Sequence, residues 1–456
     1  MTITADFKRI LSTPTRHTAD ILSSLQTFFG CVYLENHHSP VIAVLPDAYC
    51  SLVDQKIHLY NKTNLLHYSN TSILGHIGDF VKFTQYKSQN SDKTFSGGFI
   101  GFIDYNFAAN QQVSSPASAQ PPFYIGRYST YLKLEEQQWV LHSSDKHAEA
   151  LYQLIQTQLN APIPDQTAFR LLTPCAPVWS KTEYKQAFES IHHYIRAGDC
   201  YQINLTQKFS AQATGNLLDT AKAFWQLTDA PYSAYLKFGG FELLSCSPEL
   251  FIEFGPNRQL ITKPIKGTMP RDADPSLDQK LKQQLIDSEK DQAENLMIVD
   301  LLRNDLSVYA EIGSVKTPKL FEIESFNQVH HMVSEINATL CEDVNPFELL
   351  LSALPGGSIT GAPKIRAMQI IEELEIAPRG AYCGSMGYFN FDGTGSWNIL
   401  IRSIQKYQDQ LSIWAGGGIT IASDCDAEYQ ECYDKVSAML NLLNNWNEQQ
   451  KKQTQS

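Results

Sequence analysis

A large mixed α/β or α+β protein is what this sequence predicts, and three observations carry the prediction. Short apolar runs with β-like alternation occupy residues 1–160. A capped amphipathic helix and an alternating strand follow over 180–209. From there to about residue 443, strand-like and helix-like segments succeed one another without a simple βαβ rhythm. The length of 456 residues bounds the organisation to about three units of ordinary size, or two larger ones. An apolar fraction of 43% and a charged fraction of 18% belong to a globular chain with a substantial core.

Taken in order, "GCVYLE", "SPVIAVLP" and "SGGFIGFIDYNF" read as strands, and the Pro- and Ser-rich "NQQVSSPASAQPPF" at 110–123 as an exposed loop. "APIPDQTAF" and "LLTPCAPVW" loosen the chain again and make 161–179 the best linker. A helix starts at Ser180: Glu183 stands at capping-box spacing, and Tyr184, Phe188, Ile191 and Ile195 recur at helical steps. Gly198 is the expected terminator, and "CYQINLTQKF" alternates as a half-buried strand does. The tail "NNWNEQQKKQTQS" is polar enough to fray. These breaks divide the chain into an N-terminal region, 1–165, a C-terminal domain, 175–445, and a polar tail, 446–456.

No run of 18 apolar residues exists, so no membrane span is predicted, and "MTITADFKRILSTPTRHTAD" lacks the basic-then-apolar order of a secretion signal. Nine cysteines, an odd number with no CxxC pair, suit free thiols in a reducing cytosol, so the expected location is cytoplasmic. The formal net charge of −12 argues against a nucleic-acid partner. An anionic substrate would need local cations or a metal. The pairs His37-His38, His192-His193 and His330-His331 lack zinc spacing. There is no G-x-S-x-G elbow and no G-x-C-x-G element, which removes a serine hydrolase and a built-in glutaminase.

Four stretches carry the chemistry. In "SDCDAEYQECYDKVSAMLNLL", 423–443, Ser423 and Asp426 have capping-box spacing, and Tyr429, Tyr433, Val436, Leu440 and Leu443 form one helical seam. Glu428, Glu431 and Lys435 share another face, roughly 130° around. Just before them, "LSIWAGGGITIAS" runs a strand into Gly416, Gly417 and Gly418, where a ligand can approach the backbone closely. A glycine platform leading into an acidic face suggests an anion beside a divalent metal; a solvated Glu431–Lys435 pair is the plain alternative. In "SEKDQAENLMIVDLLRNDLS", 288–307, Ala293, Leu296, Met297, Ile298, Val299, Leu301 and Leu302 wrap most of a helix, which buries Glu294 near its start. A buried carboxylate needs a partner, a metal or a proton. "LPGGSITGAPKIRAMQIIEELE", 354–375, has phosphate-loop glycines at Gly356 and Gly361, but Ala362-Pro363 stand where Lys-Ser/Thr belong. Nucleotide hydrolysis is therefore excluded, while Thr360 and the loop's N–H groups remain able to hold a carboxylate. Finally, "ITKPIKGTMPR", 261–271, sets Lys266 between Ile265 and Gly267, which taken alone reads as a turn with an exposed lysine.

Together, "AGDCYQINLTQ", "SCSPELF", "PIKGT", "AENLMIVDLLRNDL", "LPGGSITGAPKIRAMQII", "GAYCGSMGYF", "IRS" and "AGGGI" with "DAEYQECYDK" resemble, in order, the motifs of the chorismate-utilising enzymes. The resemblance is strong over roughly 180–443 and weak over 1–160. It implies an α/β (α+β) fold of two packed antiparallel sheets flanked by helices, with the site in the cleft. It also implies that Glu294, Glu428 and Glu431 surround a Mg²⁺ ion that holds the substrate's ring carboxylate. Tyr382, Arg402, Lys435, Thr360 and Gly416 to Gly418 match positions that hold the substrate's carboxylates. Glu249 of "SPE" matches the general acid/base facing the C4 hydroxyl, His331 matches a ring-facing position, and Gly267-Thr268 look like substrate support.

Two positions separate the branches. The isochorismate and salicylate synthases place a water-activating lysine where this chain has Gln202, and anthranilate synthases typically have alanine where Lys266 stands. The pattern is similar to that of the aminodeoxychorismate synthase branch, with anthranilate synthase component I as the alternative. In that branch a Lys266 made neutral by burial would attack the ring at C2, ammonia would then take C4, and the ammonia would come from a separate glutamine amidotransferase subunit. Anthranilate synthases carry a Leu-Leu-Glu-Ser feedback motif where this chain has "VYLENHH"; Asn36 departs from it, so tryptophan regulation, or a structurally bound tryptophan, stays open.

Overall fold

Alternation along the strands sorts side chains onto the two faces of each sheet, and this sorting builds the protein. Val32, Leu34, Ala234, Leu236, Phe241 and Leu243 point one way from the first sheet. They meet Ile100, Phe102, Tyr124, Met386 and Tyr388 of the second in one buried cluster. Phe102 against Phe241 (ring centroids 5.1 Å apart) and Tyr124 against Phe238 (4.7 Å) mark the contact between the sheets. The intervening residues Tyr33, Tyr235 and Leu244 face the larger core shared with the helices, where Tyr33 meets Trp225 of helix Ala221–Thr228 at 4.6 Å.

The computed structural model describes residues 7–13, 17–83, 94–162, 168–325 and 329–447. Part of the expected linker, 163–167, and most of the expected tail, 448–456, lie outside them. Among the described residues, two large antiparallel sheets, of thirteen and twelve strands, are flanked by helices, as the family resemblance implies. Both sheets draw strands from either side of the 165/175 division. Val32–Leu34 pairs with Tyr232–Phe238 in the first, and Gly98–Ile103 with Ser385–Asn390 in the second. The site-bearing part of the first sheet is Ser403–Tyr407, Gln410–Ile419 and Gln202–Thr214, side by side. That of the second is Ile265–Pro270, Val329–Thr339, Gln259–Thr262 and Leu250–Phe254.

Helix Lys181–Ala197 forms as its sequence dictates: Ser180 and Glu183 close a capping box, and Gly198 ends it at φ +84°. Three expectations change. Strand Gln202–Thr214 is buried on both faces over its first half, because distant residues take up its polar side chains: Asn204 Nδ2 donates to Ile359 O at 2.9 Å and Thr206 Oγ1 to Glu375 Oε1 at 2.6 Å, while the loop 356–362 pairs along its edge. Helix Glu289–Ser307 buries one stripe (Glu294, Asn295, Ile298, Val299, Leu302, Leu306) and leaves Leu296 exposed, since it rests on one side against strands Val329–Thr339 and Ile265–Pro270. The C-terminal seam is split between two helices, Cys425–Asp434 and Ser437–Asn444, and the cap of the first is Asp424, not Ser423. The hydroxyl of Ser423 is turned to Glu428 instead, donating to Oε1 at 2.7 Å.

Candidate active site

The glycine strand and the acidic helix meet as the sequence suggests. Gly417 lies under Glu428 and Glu431, so close that a Cβ there would stand 2.9 Å from one carboxylate and 3.3 Å from the other. Gly418 lies under the side chain of Gln202 in the same way. Lys435 closes the far end: its ammonium is 2.6 Å from Glu431 Oε1 and donates to Gly416 O at 2.7 Å.

From the second sheet, Lys266 projects into this group and reaches Glu294 Oε2 at 2.8 Å. Burial works against its charge, but Glu294 first, then Glu431 and Glu428, outweigh that and hold its pKa above the usual lysine value. The expectation of a lysine neutralised by burial is thus corrected: three carboxylates face it, and their field decides. Gly267 beside it has φ +85° and abuts Leu285 and Asp291, where a Cβ would meet atoms at 2.9–3.1 Å. A side chain at 267 would therefore push Lys266 off its line to Glu294.

Glu249, in the turn between strands Phe241–Ser247 and Leu250–Phe254, is 6% exposed. Burial raises its carboxyl to about 7, against the lowering effects of Ser358, Lys266, Lys435 and Arg402. Thr268 shares a 2.8 Å hydrogen bond with His331 Nδ1, and burial, then Arg402, pulls His331 down to about 4, so the ring is neutral at physiological pH. Arg402 sits at φ +49°, a strained position for a side chain, and faces both His331 and Glu249 electrostatically. Thr360 and Tyr382 join less directly. The Thr360 hydroxyl donates to Gly356 O at 3.0 Å, and the Tyr382 ring stacks on Trp414 at 5.9 Å.

Among the described residues, no group of three or more His, Cys, Asp and Glu side chains converges closely enough to hold a metal ion as it stands. The donor set nevertheless fits a hard divalent cation. Glu294 and Glu428 are 9% and 4% exposed, all the donors are oxygens, and ammonium groups crowd them. Lys266 is on Glu294, Lys435 on Glu431, and Lys290 lies 4.0 and 3.9 Å from Glu294 and Glu428. So much positive charge drawn to three carboxylates is the demand a divalent ion would meet.

A family model described as "chorismate binding enzyme" matches residues 35–441. The chain belongs to the chorismate-binding enzymes. This chorismate-binding enzyme is 42% identical over 359 residues to aminodeoxychorismate synthase component 1 of Salmonella typhimurium, a match covering 78% of each chain. It is 41% identical over 366 residues to the Escherichia coli protein of that name, covering 78% of this chain and 79% of the relative. Among solved structures, anthranilate synthase component I from Streptococcus pneumoniae superimposes with a TM-score of 0.75 at 27% identity, over 88% of this chain and 92% of that one. The menaquinone-specific isochorismate synthase of Escherichia coli shares the fold at 18% identity, with a TM-score of 0.71 over 96% and 94% of the two chains.

Sequence reasoning missed the contacts that Ser358, Ser423 and Lys290 make with Glu249, Glu428 and Glu294, and it missed Arg379, which donates to Ile359 O beside Thr360. Lys290 had a usable signal, since it precedes Glu294 by one helical turn. Among the described residues no helix is long and apolar enough to cross a membrane, and all nine cysteines are free. Near "VYLENHH", Asn36 is buried with φ +50° and bonds to Ser39 O and Phe95 N. The cavity beside it, lined in part by Leu34, Tyr232, Ser233, Met386 and Asn398, measures only about 30 Å³.

Proposed function

We propose that this chain aminates chorismate at C4 to give 4-amino-4-deoxychorismate, a precursor of 4-aminobenzoate and folate, as the names of its bacterial relatives suggest. The observation that carries the reading is the pairing of an amine and an acid on one space. Lys266 and Glu249 feel each other's charge, and Glu249, near pH 7, is substantially protonated under working conditions. An alanine in place of Lys266 would leave only the acid.

Glu294, Glu428 and Glu431 would hold Mg²⁺, which, when bound, offsets the charge of the substrate's ring carboxylate. Lys435, Arg402 and the glycines Gly416 to Gly418 would hold the carboxylates, and neutral His331, fixed by Thr268, would line the ring. Lys266, 2.8 Å from Glu294 Oε2 in the resting site, must first shed a proton, which it regains once the C2–N bond has broken again. The amine then forms a bond to C2, both ring double bonds shift by one position, and the C4–O bond breaks as Glu249 gives its proton to the hydroxyl, which departs as water. Ammonia attacks C4, both double bonds shift back, and the C2–N bond to Lys266 breaks. The Glu249 carboxylate takes a proton from the new amine, so chorismate and ammonia leave as aminodeoxychorismate and water. Gln202, an amide, cannot act as the base that water addition would need.

The ammonia would come from glutamine through a separate amidotransferase subunit, consistent with the "component 1" of the relatives' names. The test is the mass of the product formed from chorismate, Mg²⁺ and ammonium salt by the purified chain. A chorismate-sized product with an amino group in place of a hydroxyl and no fluorescence supports the reading. Fluorescent anthranilate would replace it with C2 amination, and no turnover would end it. Bound tryptophan is a separate proposal: the cavity beside Asn36 would have to open to admit an indole, and calorimetry with tryptophan decides it.

A further inference from the structure

We propose that Arg379 is a positioning residue for the chorismate site: without touching substrate, it sets the wall formed by Gln202, Thr360 and Tyr382. The inference rests on the chorismate-amination reading above. Arg379 is 1% exposed and follows helix Lys364–Leu374, outside every stretch whose chemistry was legible in the sequence. Its guanidinium is spent on three site-bearing segments at once. Nη1 donates to Ile359 O at 2.9 Å, immediately before Thr360. Nη2 donates to the backbone carbonyl of Asn204 at 2.8 Å, two residues along the strand from Gln202. The cation lies 6.0 Å from the centroid of the Tyr382 ring, which stacks on Trp414, and 4.7 Å from that of Tyr105.

The fork is itself held in place. Glu375 accepts from Nε at 2.8 Å and from Nη2 at 2.7 Å, and the same carboxylate accepts from Thr206 Oγ1 at 2.6 Å, on the strand that carries Gln202. Asn204 Nδ2 shares the Ile359 carbonyl at 2.9 Å, and Asn204 N takes the Thr360 carbonyl at 2.8 Å. A planar group with donors in fixed directions suits this task, and a lysine ammonium cannot span the same acceptors. Arg379 and Glu375 also line a cavity of about 210 Å³ with Asn106, Glu372 and Pro378, room for a small planar ion.

The experiment compares Arg379→Lys, Thr206→Val and Arg379→Ala with the wild-type chain in steady-state turnover of chorismate with ammonium and Mg²⁺, alongside thermal melts. Because the arginine shapes the binding wall and leaves Lys266 and Glu249 untouched, Arg379→Lys raises KM for chorismate about tenfold with kcat nearly kept. Thr206→Val moves KM the same way by about twofold to threefold, from a single lost bond, in a protein that still folds. Millimolar guanidinium, entering through the cavity, restores most of the KM of Arg379→Ala. A merely structural role gives the other pattern, lower kcat in proportion to lost folded protein with KM unmoved and no guanidinium rescue, and that result overturns the inference alone. Absence of wild-type turnover overturns the functional reading and this inference together.

Discussion

Replacing Glu249 with glutamine should make the protein more stable while removing its activity. The structure buries this carboxyl at 6% exposure and raises it from 4.5 to about 7, with burial as the largest cause. A group whose folded pKa lies above its unfolded value stabilises the fold below the unfolded pKa, and that contribution is lost as pH rises through the folded one. At about 1.4 kcal/mol for each tenfold change in proton affinity, the window from 4.5 to about 7 is worth about 3 kcal/mol. Glutamine keeps the shape, and the bond from Ser358 at 3.4 Å, without ever carrying the charge. Urea unfolding of Glu249→Gln and wild type, in chelator and without substrate, should therefore differ by about 3 kcal/mol in favour of the variant at pH 8. The difference should shrink as pH falls toward 4.5. Turnover of chorismate should drop by about a hundredfold to ten-thousandfold, the usual worth of a positioned acid. A variant no more stable than wild type at pH 8 would show that Glu249 is not a buried carboxyl under strain, and the case for it as the acid would go with it.

Lys266→Ala should lose C4 amination by at least about a thousandfold and, with space opened at C2, give fluorescent anthranilate from ammonia; aminodeoxychorismate at the normal rate would refute the covalent step. Glu431→Gln keeps the hydrogen-bonding shape but removes one charge from the carboxylate group, so Mg²⁺ binding, measured by calorimetry, should weaken about tenfold or more; an unchanged affinity would place the metal elsewhere. His331, held near pKa 4 by burial, has a folded pKa below its unfolded value. Its contribution to stability is complete above about pH 6.5 and is lost as pH falls toward 4, so His331→Asn should flatten that limb of the acid-unfolding curve.

What the sequence disclosed and what it hid divide along a physical line. Local rules were readable: the Ser180–Glu183 box, the Gly198 cap and the Glu428–Glu431–Lys435 face all appear as their spacing dictates, because each depends on neighbours within one or two turns. Burial on a second face was not readable. The alternation of "CYQINLTQKF" carries no trace of Ile359 and Glu375, which take up its polar side chains from far along the chain, and the apolar residues of 288–307 outnumber the surface that receives them. The charge of Lys266 shows the same limit at the level of chemistry. Lys266 between Ile265 and Gly267 reads alone as an exposed turn residue, the family resemblance implies a buried one, and burial alone would neutralise it. Only the assembled structure brings Glu294, Glu428 and Glu431 from two distant helices to face it, and their summed field reverses the sign. Chemistry that depends on which charges converge therefore belongs to the fold, and Arg379 is a further instance. Its fork joins residues 204, 359 and 375, a convergence that no window of sequence contains.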